Sequence, residues 1–303
     1  MARLQRNGDV VQPRSLAQIN IGSNSGVIKM SNQEQADLWN GRMGTAWVSV
    51  EDYIDRMLAP ISQVGIERAG PGAGDKVIDI GCGCGTTSLE LAADGASVWG
   101  VDISQRMIER ANAKDHGGAS VRFSVADAAI EAYDAEHDVV FSRFGVMFFS
   151  DPIAAFKNIS AALRPGGRLV YLCWQAPQDN PWLAVAGAAV APFMPADTPA
   201  PDPAAPGPFS MADPVRTRNV LEAAGLVDIN IESVERDLHL GNHLDELMAF
   251  QKKIGPLSAL LESGDKETGL KATAAVREAF AAHLGDSGVT MRAAAWLVTG
   301  RAP

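Results

Sequence analysis

The 303-residue chain has no run of 18 apolar residues, which excludes a helix that spans a membrane. Its first residues carry no apolar core of the kind a signal peptide needs, which predicts a cytoplasmic protein. Only three cysteines occur, Cys82, Cys84 and Cys173, too few for a disulfide framework. Cys82 and Cys84 have no Cys or His pair at zinc spacing, so no metal site is expected. Positive charge is short as well: 26 Lys and Arg stand against 36 Asp and Glu, a net charge of −10. A protein that clamps a phosphate backbone usually shows a basic face, so a nucleic-acid substrate is not expected. Histidine is scarce (five), and no Ser-His-Asp or Cys-His arrangement stands out; of the five, His239 and His243 are the two placed to reach a pocket from the late part of the chain. The catalytic base stays unassigned.

What is present is an alternation of strand and helix. Residues 1–29 are polar and without period and read as a flexible arm. Residues 30–70 form a helical cap, one helix opened by the Ser31–Glu34 capping box and a second over 49–68 with a break expected at Pro60. From Lys76, "KVIDIG", "ASVWGVD", "ASVRFSVAD", "HDVVFSRF" and "RLVYLCW" are apolar strands separated by helical stretches. Ser104, Asp151 and Asp213 sit at helix N-caps, the last two followed by Pro152 and Pro214. Such repeats predict a parallel sheet covered by helices on both faces. The rhythm breaks at "PFMPADTPAPDPAAPGPF", whose seven prolines suit a lid rather than a regular element. The helix "ADPVRTRNVLEAAGL", an alternating strand, two helices and a last strand follow, an order that fits an antiparallel pair at one sheet edge. The division is then 71–175 for a cofactor-binding half and 176–303 for the lid and the C-terminal half of the same domain.

The stretch "VIDIGCGCGTTSLE" is the informative one. A glycine turn between a first strand and a helix lets backbone N–H groups approach a ligand. A P-loop would need a lysine after the last glycine, and none follows. The dinucleotide spacing fails as well, because position 86 is Thr. Asp79 would be a costly like charge beside a pyrophosphate but a partner beside an ammonium. A ligand with an amino-acid end joined to a nucleoside meets both demands, and S-adenosylmethionine is such a molecule. Asp102, at the end of the second strand, suits ribose hydroxyls, and Asp127, after the third, suits an adenine amino group, with Ile103 and Met107 against the purine.

On "VIDIGCGCG", "GVDIS", "VADAA", "FSRFGVMFF" and "LRPGGRLV" the chain resembles the class I S-adenosylmethionine-dependent methyltransferases, and within them the bacterial small-molecule branch that includes quinone-precursor methylating enzymes. The resemblance spans about residues 31–300 and is strongest from 76 to 174. It implies an α/β, Rossmann-like sheet of seven strands, order 3-2-1-4-5-7-6, with the last strand antiparallel. It makes Asp79, Gly81, Gly83 and Gly85, with Cys82 between them, the methionine-side turn. Asp102 becomes the ribose acceptor, Asp127 and Ala128 the adenine contact, and Ser142 and Arg143 neighbours of the methionine moiety. Trp47, on the N-terminal cap, folds over the methyl end. Candidates for the acceptor pocket are Trp39, Phe144, Met147, Phe148, Trp174 and Phe209. Cys84 departs from the family's usual small or polar residue and makes the turn oxidisable. The expected function is methyl transfer to a small, partly apolar acceptor, and a homodimer stays open. A nicotinamide-dependent oxidoreductase and a non-catalytic cofactor-binding protein of the same fold are the alternatives.

Overall fold

The computed structural model describes residues 32–195 and 202–303. The arm 1–29, the capping residue Ser31 and part of the proline-rich stretch lie outside the described residues. The strands are β1 (Lys76–Ile80), β2 (Ser97–Asp102), β3 (Val121–Val125), β4 (His137–Arg143), β5 (Leu163–Trp174), β6 (Val227–Gly241) and β7 (Gly288–Arg301). A two-residue strand, Leu284–Gly285, folds back on the start of β7. The sheet order is β3-β2-β1-β4-β5-β7-β6. Pairing from β3 to β5 is parallel, and β7 runs antiparallel to both neighbours. This is the order and the strand direction expected from the sequence.

The helices are α1 (Asn32–Asn40), α2 (Arg42–Val48), α3 (Glu51–Ala69), α4 (Thr86–Leu91), α5 (Gln105–Asn112), α6 (Pro152–Ala161), α7 (Pro181–Val190), α8 (Pro214–Ala223), α9 (Leu244–Gln251), α10 (Pro256–Ser263) and α11 (Lys266–Ala281). Neighbouring residues of β5 meet opposite layers, as strand pleating requires. Leu172 lies under Gly65 of α3, whereas Tyr171 faces Phe156 of α6 at 5.4 Å between rings. Burial on both faces explains why β1, β4 and β5 read as nearly continuous apolar runs.

The structure corrects several sequence expectations. Helix α3 passes through Pro60 without a break. Pro60 and Arg56, whose carbonyl loses its helical donor, both lie on the exposed side, so water can satisfy that group. Helices α2, α7 and α10 are additional to those read from the sequence. Helix α7 is Ala-rich and apolar almost all round, so it has no amphipathic period; it packs on α10 and α11.

The caps are as the sequence implies. The side chain of Ser104 accepts from Met107 N, that of Asp151 from Ala154 N, and that of Asp213 from Val215 N and Arg216 N. Asp213→Ala is expected to lower the unfolding free energy by about 1 kcal/mol, the usual worth of an N-cap, because Pro214 still fixes the first turn. Urea denaturation monitored by circular dichroism measures it.

Candidate active site

The site forms where β1 and β4 end side by side. Gly81, Gly83 and Gly85 all have positive φ (65°, 56° and 85°), a conformation that strongly favours glycine. Gly81 N and Cys82 N donate to Val101 O at 2.8 and 3.1 Å, which folds the turn back on β2. A Cβ on Gly81 would stand 2.9 Å from Gly145 Cα, and one on Gly145 would stand 2.7 Å from Ile80 O. The two backbones therefore touch, and neither position can hold a side chain. Gly83 differs: the nearest atoms to a Cβ there are Met107 Sδ at 3.9 Å and Trp47 Nε1 at 4.0 Å, so this residue opens onto a cleft.

That cleft is walled by the turn, by the ends of β2, β3 and β4, and by α1 to α3. Asp102 stands at its rim: Oδ2 accepts from Gly83 N at 2.9 Å and Oδ1 from Ser104 N at 2.8 Å. Burial nevertheless holds its carboxyl above the usual range. Asp127 accepts from Ala129 N at 3.0 Å and from Asn32 Nδ2 at 2.6 Å. At the other end Arg143 pairs with Asp55 Oδ1 at 2.8 Å, and Asp55 Oδ2 accepts from the Thr86 hydroxyl at 2.6 Å. Glu51, the first residue of α3, is buried and pairs with Arg110 of α5. On the remaining side Trp39 packs edge-on against Trp47 and Phe148, at 5.8 and 5.1 Å between rings.

Of the residues singled out in the sequence, the structure brings Gly81, Cys82, Gly83, Asp102, Ile103, Met107, Asp127, Ala128, Arg143, Trp47, Trp39, Phe144 and Phe148 to the cleft wall. Others lie behind it. Gly85 is packed against Phe123 of β3, which a Cβ would meet at 2.6 Å. Ser142 donates to Ile80 O and accepts from Gly145 N, sewing β4 to β1. Trp174 stacks beneath Phe144 at 3.9 Å and meets Trp182 edge-on. Met147 is buried, and its carbonyl accepts from Gly207 N and the Ser210 hydroxyl, which ties the last residues of the proline-rich stretch to the end of β4. Phe209 packs on the core in that same segment.

Asp79 needs a correction. Expected to face an ammonium, it is fully buried under the turn, where Oδ2 accepts from the hydroxyls of Thr87 and Ser88 at 2.9 and 2.6 Å. Its carboxyl is pushed up to about 6, chiefly by burial and against the pull of those hydroxyls. His239 and His243 are exposed and lie away from the cleft.

Glu51, Asp55, Thr86 and Gly145 line the cleft without having been read from the sequence. Gly145 had a visible signal, since it follows an aromatic residue at a strand end. Phe144 takes φ +59°, an uncommon and strained conformation for an aromatic residue, and its N–H donates to Leu172 O at 3.0 Å. The turn thereby aims the Phe144 ring at the cleft with Trp174 stacked behind it. Four carboxylates line the cleft against one cation, Arg143, which is already paired. The electrostatics favour a ligand with positive charge over one with phosphates.

Comparison with known proteins agrees with this geometry. Residues 77–167 match the family described as "Methyltransferase domain". The demethylmenaquinone methyltransferase of Clavibacter sepedonicus is 34% identical over 108 residues, 35% of this chain and 44% of that protein. The 27-O-demethylrifamycin SV methyltransferase of Amycolatopsis mediterranei is 37% identical over 102 residues, 32% of this chain and 38% of that protein. The chain thus matches less than half the length of these relatives. The structure of Haemonchus contortus phosphoethanolamine N-methyltransferase 2, in complex with S-adenosyl-L-methionine, superposes with TM-score 0.54 at 17% identity, covering 88% of this chain and 60% of that one. Residues 77–167 therefore match a methyltransferase domain, and the chain has the fold of that solved methyltransferase.

Proposed function

We propose that this chain is a methyltransferase that uses S-adenosylmethionine and acts on a small, partly apolar acceptor. The observation that carries the reading is the charge and hydrogen-bonding pattern of the cleft: carboxylates outnumber cations four to one, and Asp102 is fixed by two backbone N–H groups at the rim of a glycine turn. The residues fit the molecule. An ionised carboxylate has about four acceptor positions. The two that Asp102 leaves suit the paired hydroxyls of a ribose. Ile103, Met107 and Ala128 supply apolar walls for a purine, Asp127 keeps acceptor capacity for its amino group, and Gly83 leaves room for the chain that follows. A pyrophosphate would have to lie against Asp102, Asp55 and Glu51, which weighs against the nicotinamide reading.

Bound S-adenosylmethionine supplies a methyl group activated on a sulfonium, which an acceptor takes by in-line displacement to leave S-adenosylhomocysteine. The chain's own part is positioning and exclusion of water. Trp39, Trp47 and Phe148 form an aromatic wall over that end of the cleft, and their ring faces favour a cation. Phe144, held in place by Trp174, completes the acceptor side. No histidine reaches the cleft, so a proton that leaves the acceptor passes to a carboxylate or to solvent. The apolar walls, together with the similarity to enzymes named for menaquinone and rifamycin precursors, support a small-molecule acceptor. A net charge of −10 weighs against a nucleic acid. Among the described residues no helix is long and apolar enough to cross a membrane.

Calorimetry tests the cofactor. Binding of S-adenosylhomocysteine at micromolar or tighter affinity, with no heat from NADH at the same concentrations, is expected. The reverse result would overturn the proposal.

A further inference from the structure

The burial of Asp79 leaves the cationic end of the ligand without the partner the sequence offered. Four other carboxylates line the cleft, and seven of their eight oxygens are engaged. Asp102 accepts from Gly83 N and Ser104 N. Asp127 accepts from Ala129 N and Asn32. Asp55 accepts from Arg143 and Thr86. Glu51 Oε1 takes Arg110 Nε at 2.5 Å. The eighth, Glu51 Oε2, is buried and has no hydrogen-bond partner among the described residues; Asp79 Oδ1 is also unpartnered, but of the two residues only Glu51 lines the cleft. A buried carboxylate oxygen left unpaired is costly, and its presence in a cleft wall points to a donor supplied by a ligand.

Its place along the cleft agrees. Glu51 is 4% exposed, and its carboxylate lies beside the thiol of Cys84, inside the glycine turn. A thiol is a weak donor and does not replace an ammonium. On the proposed function Asp102 and Asp127, at the ends of β2 and β3, hold the nucleoside, whereas Glu51 lies with Asp55 near Cys84 of the turn. Arg110, which does not itself line the cleft, pairs with the other oxygen of Glu51 and fixes the orientation of the carboxylate.

We infer that Glu51 of α3, and not the motif carboxylate Asp79, binds the α-ammonium of the cofactor through Oε2. This rests on the proposed function and adds a recognition element from the N-terminal helical cap. The cap thus takes part in cofactor binding, and the amino-acid tail clips α3 to the turn. Asp102 and Asp127 then account for the adenosine part of the affinity, and Glu51 for the charge of the tail.

The test compares two nucleosides on the intact chain by calorimetry: S-adenosylhomocysteine, which carries the ammonium, and 5′-methylthioadenosine, which lacks the whole tail. In Glu51→Gln the amide retains an acceptor for Arg110 but loses the charge. Its affinity for S-adenosylhomocysteine is expected to fall about 30-fold, the scale of one charge-assisted hydrogen bond, while that for 5′-methylthioadenosine changes less than about twofold. Equal losses for both nucleosides would mean a structural role and overturn the inference, as would no loss for either. If the variant does not fold, the wild-type chain still decides with S-adenosylhomocysteine and its deaminated analogue. A loss of about 30-fold on removing the amine supports an ammonium partner, and unchanged affinity overturns it. Binding of 5′-methylthioadenosine to the wild type without any gain from the tail would sink the Glu51 assignment and leave the cofactor reading standing. Failure of both nucleosides to bind the wild type would remove both.

Discussion

Asp102→Ala is expected to weaken S-adenosylhomocysteine binding by about a thousand-fold, the largest effect of any single substitution in the cleft. The carboxylate stands where two vicinal hydroxyls can each donate to it, and hydrogen bonds to a charged group contribute about 1.5–3 kcal/mol apiece. Two of them lost together give roughly 3–6 kcal/mol, and a thousand-fold corresponds to the middle of that range. Alanine also leaves Gly83 N and Ser104 N without the acceptor that now orders the turn. Asp102→Asn separates the two causes. It keeps one oxygen and most of the shape, so an intermediate loss of about 10- to 50-fold is expected if charge and acceptor number both count. Calorimetry reads the affinities, and thermal unfolding of the ligand-free variants shows whether the fold is intact. Wild-type affinity in Asp102→Ala would remove the ribose from this position and with it the orientation of the cofactor.

The second large effect concerns Asp79 and pH. Its carboxyl rises from an ordinary 3.8 to about 6 in the folded chain, mainly through burial. A carboxyl raised on folding is protonated more readily in the native state than in the unfolded one, so its contribution to stability falls as pH rises. The cost is absent below about pH 4, grows up to about pH 6 and is constant above that. The change from 3.8 to about 6 corresponds to roughly 3 kcal/mol. Asp79→Asn removes the titration and keeps a carbonyl oxygen for Thr87 and Ser88. The stability difference between the two proteins, from urea denaturation, should therefore shift by about 3 kcal/mol in favour of Asn between pH 4 and pH 7. Parallel pH profiles would contradict it. Since Asp79 does not line the cleft, the same variant should bind S-adenosylhomocysteine within about threefold of wild type, in contrast to Glu51→Gln.

The opposite treatment of Asp79 and Glu51 shows where reading the chain reaches its limit. The motif drew attention to Asp79 because charge and glycine spacing are local properties. Which way the carboxylate faces is not local: it depends on the hydroxyls of Thr87 and Ser88, eight and nine residues later in α4, which hold it beneath the turn. Glu51 looked like an ordinary acidic residue in a first helical turn. It joins the cleft only because α3 packs on β4, β5 and β6, strands far along the chain from the helix itself. Trp174 and Met147, at strand ends with pocket-forming neighbours, are buried and do not line the cleft.

The resemblance to the methyltransferases implied the sheet order; the sequence by itself determined the alternation of strand and helix, the helix caps at Ser104, Asp151 and Asp213, and the glycine turn with Asp102 at its rim. Each of these follows from the period of apolar residues or from the backbone freedom of a single residue type, which act over a few positions. The tertiary structure alone decided which carboxylates face the cleft, which aromatic rings wall it and where an acceptor oxygen is left without a donor. Those outcomes depend on burial and on contacts between distant segments, and short-range patterns carry no record of either.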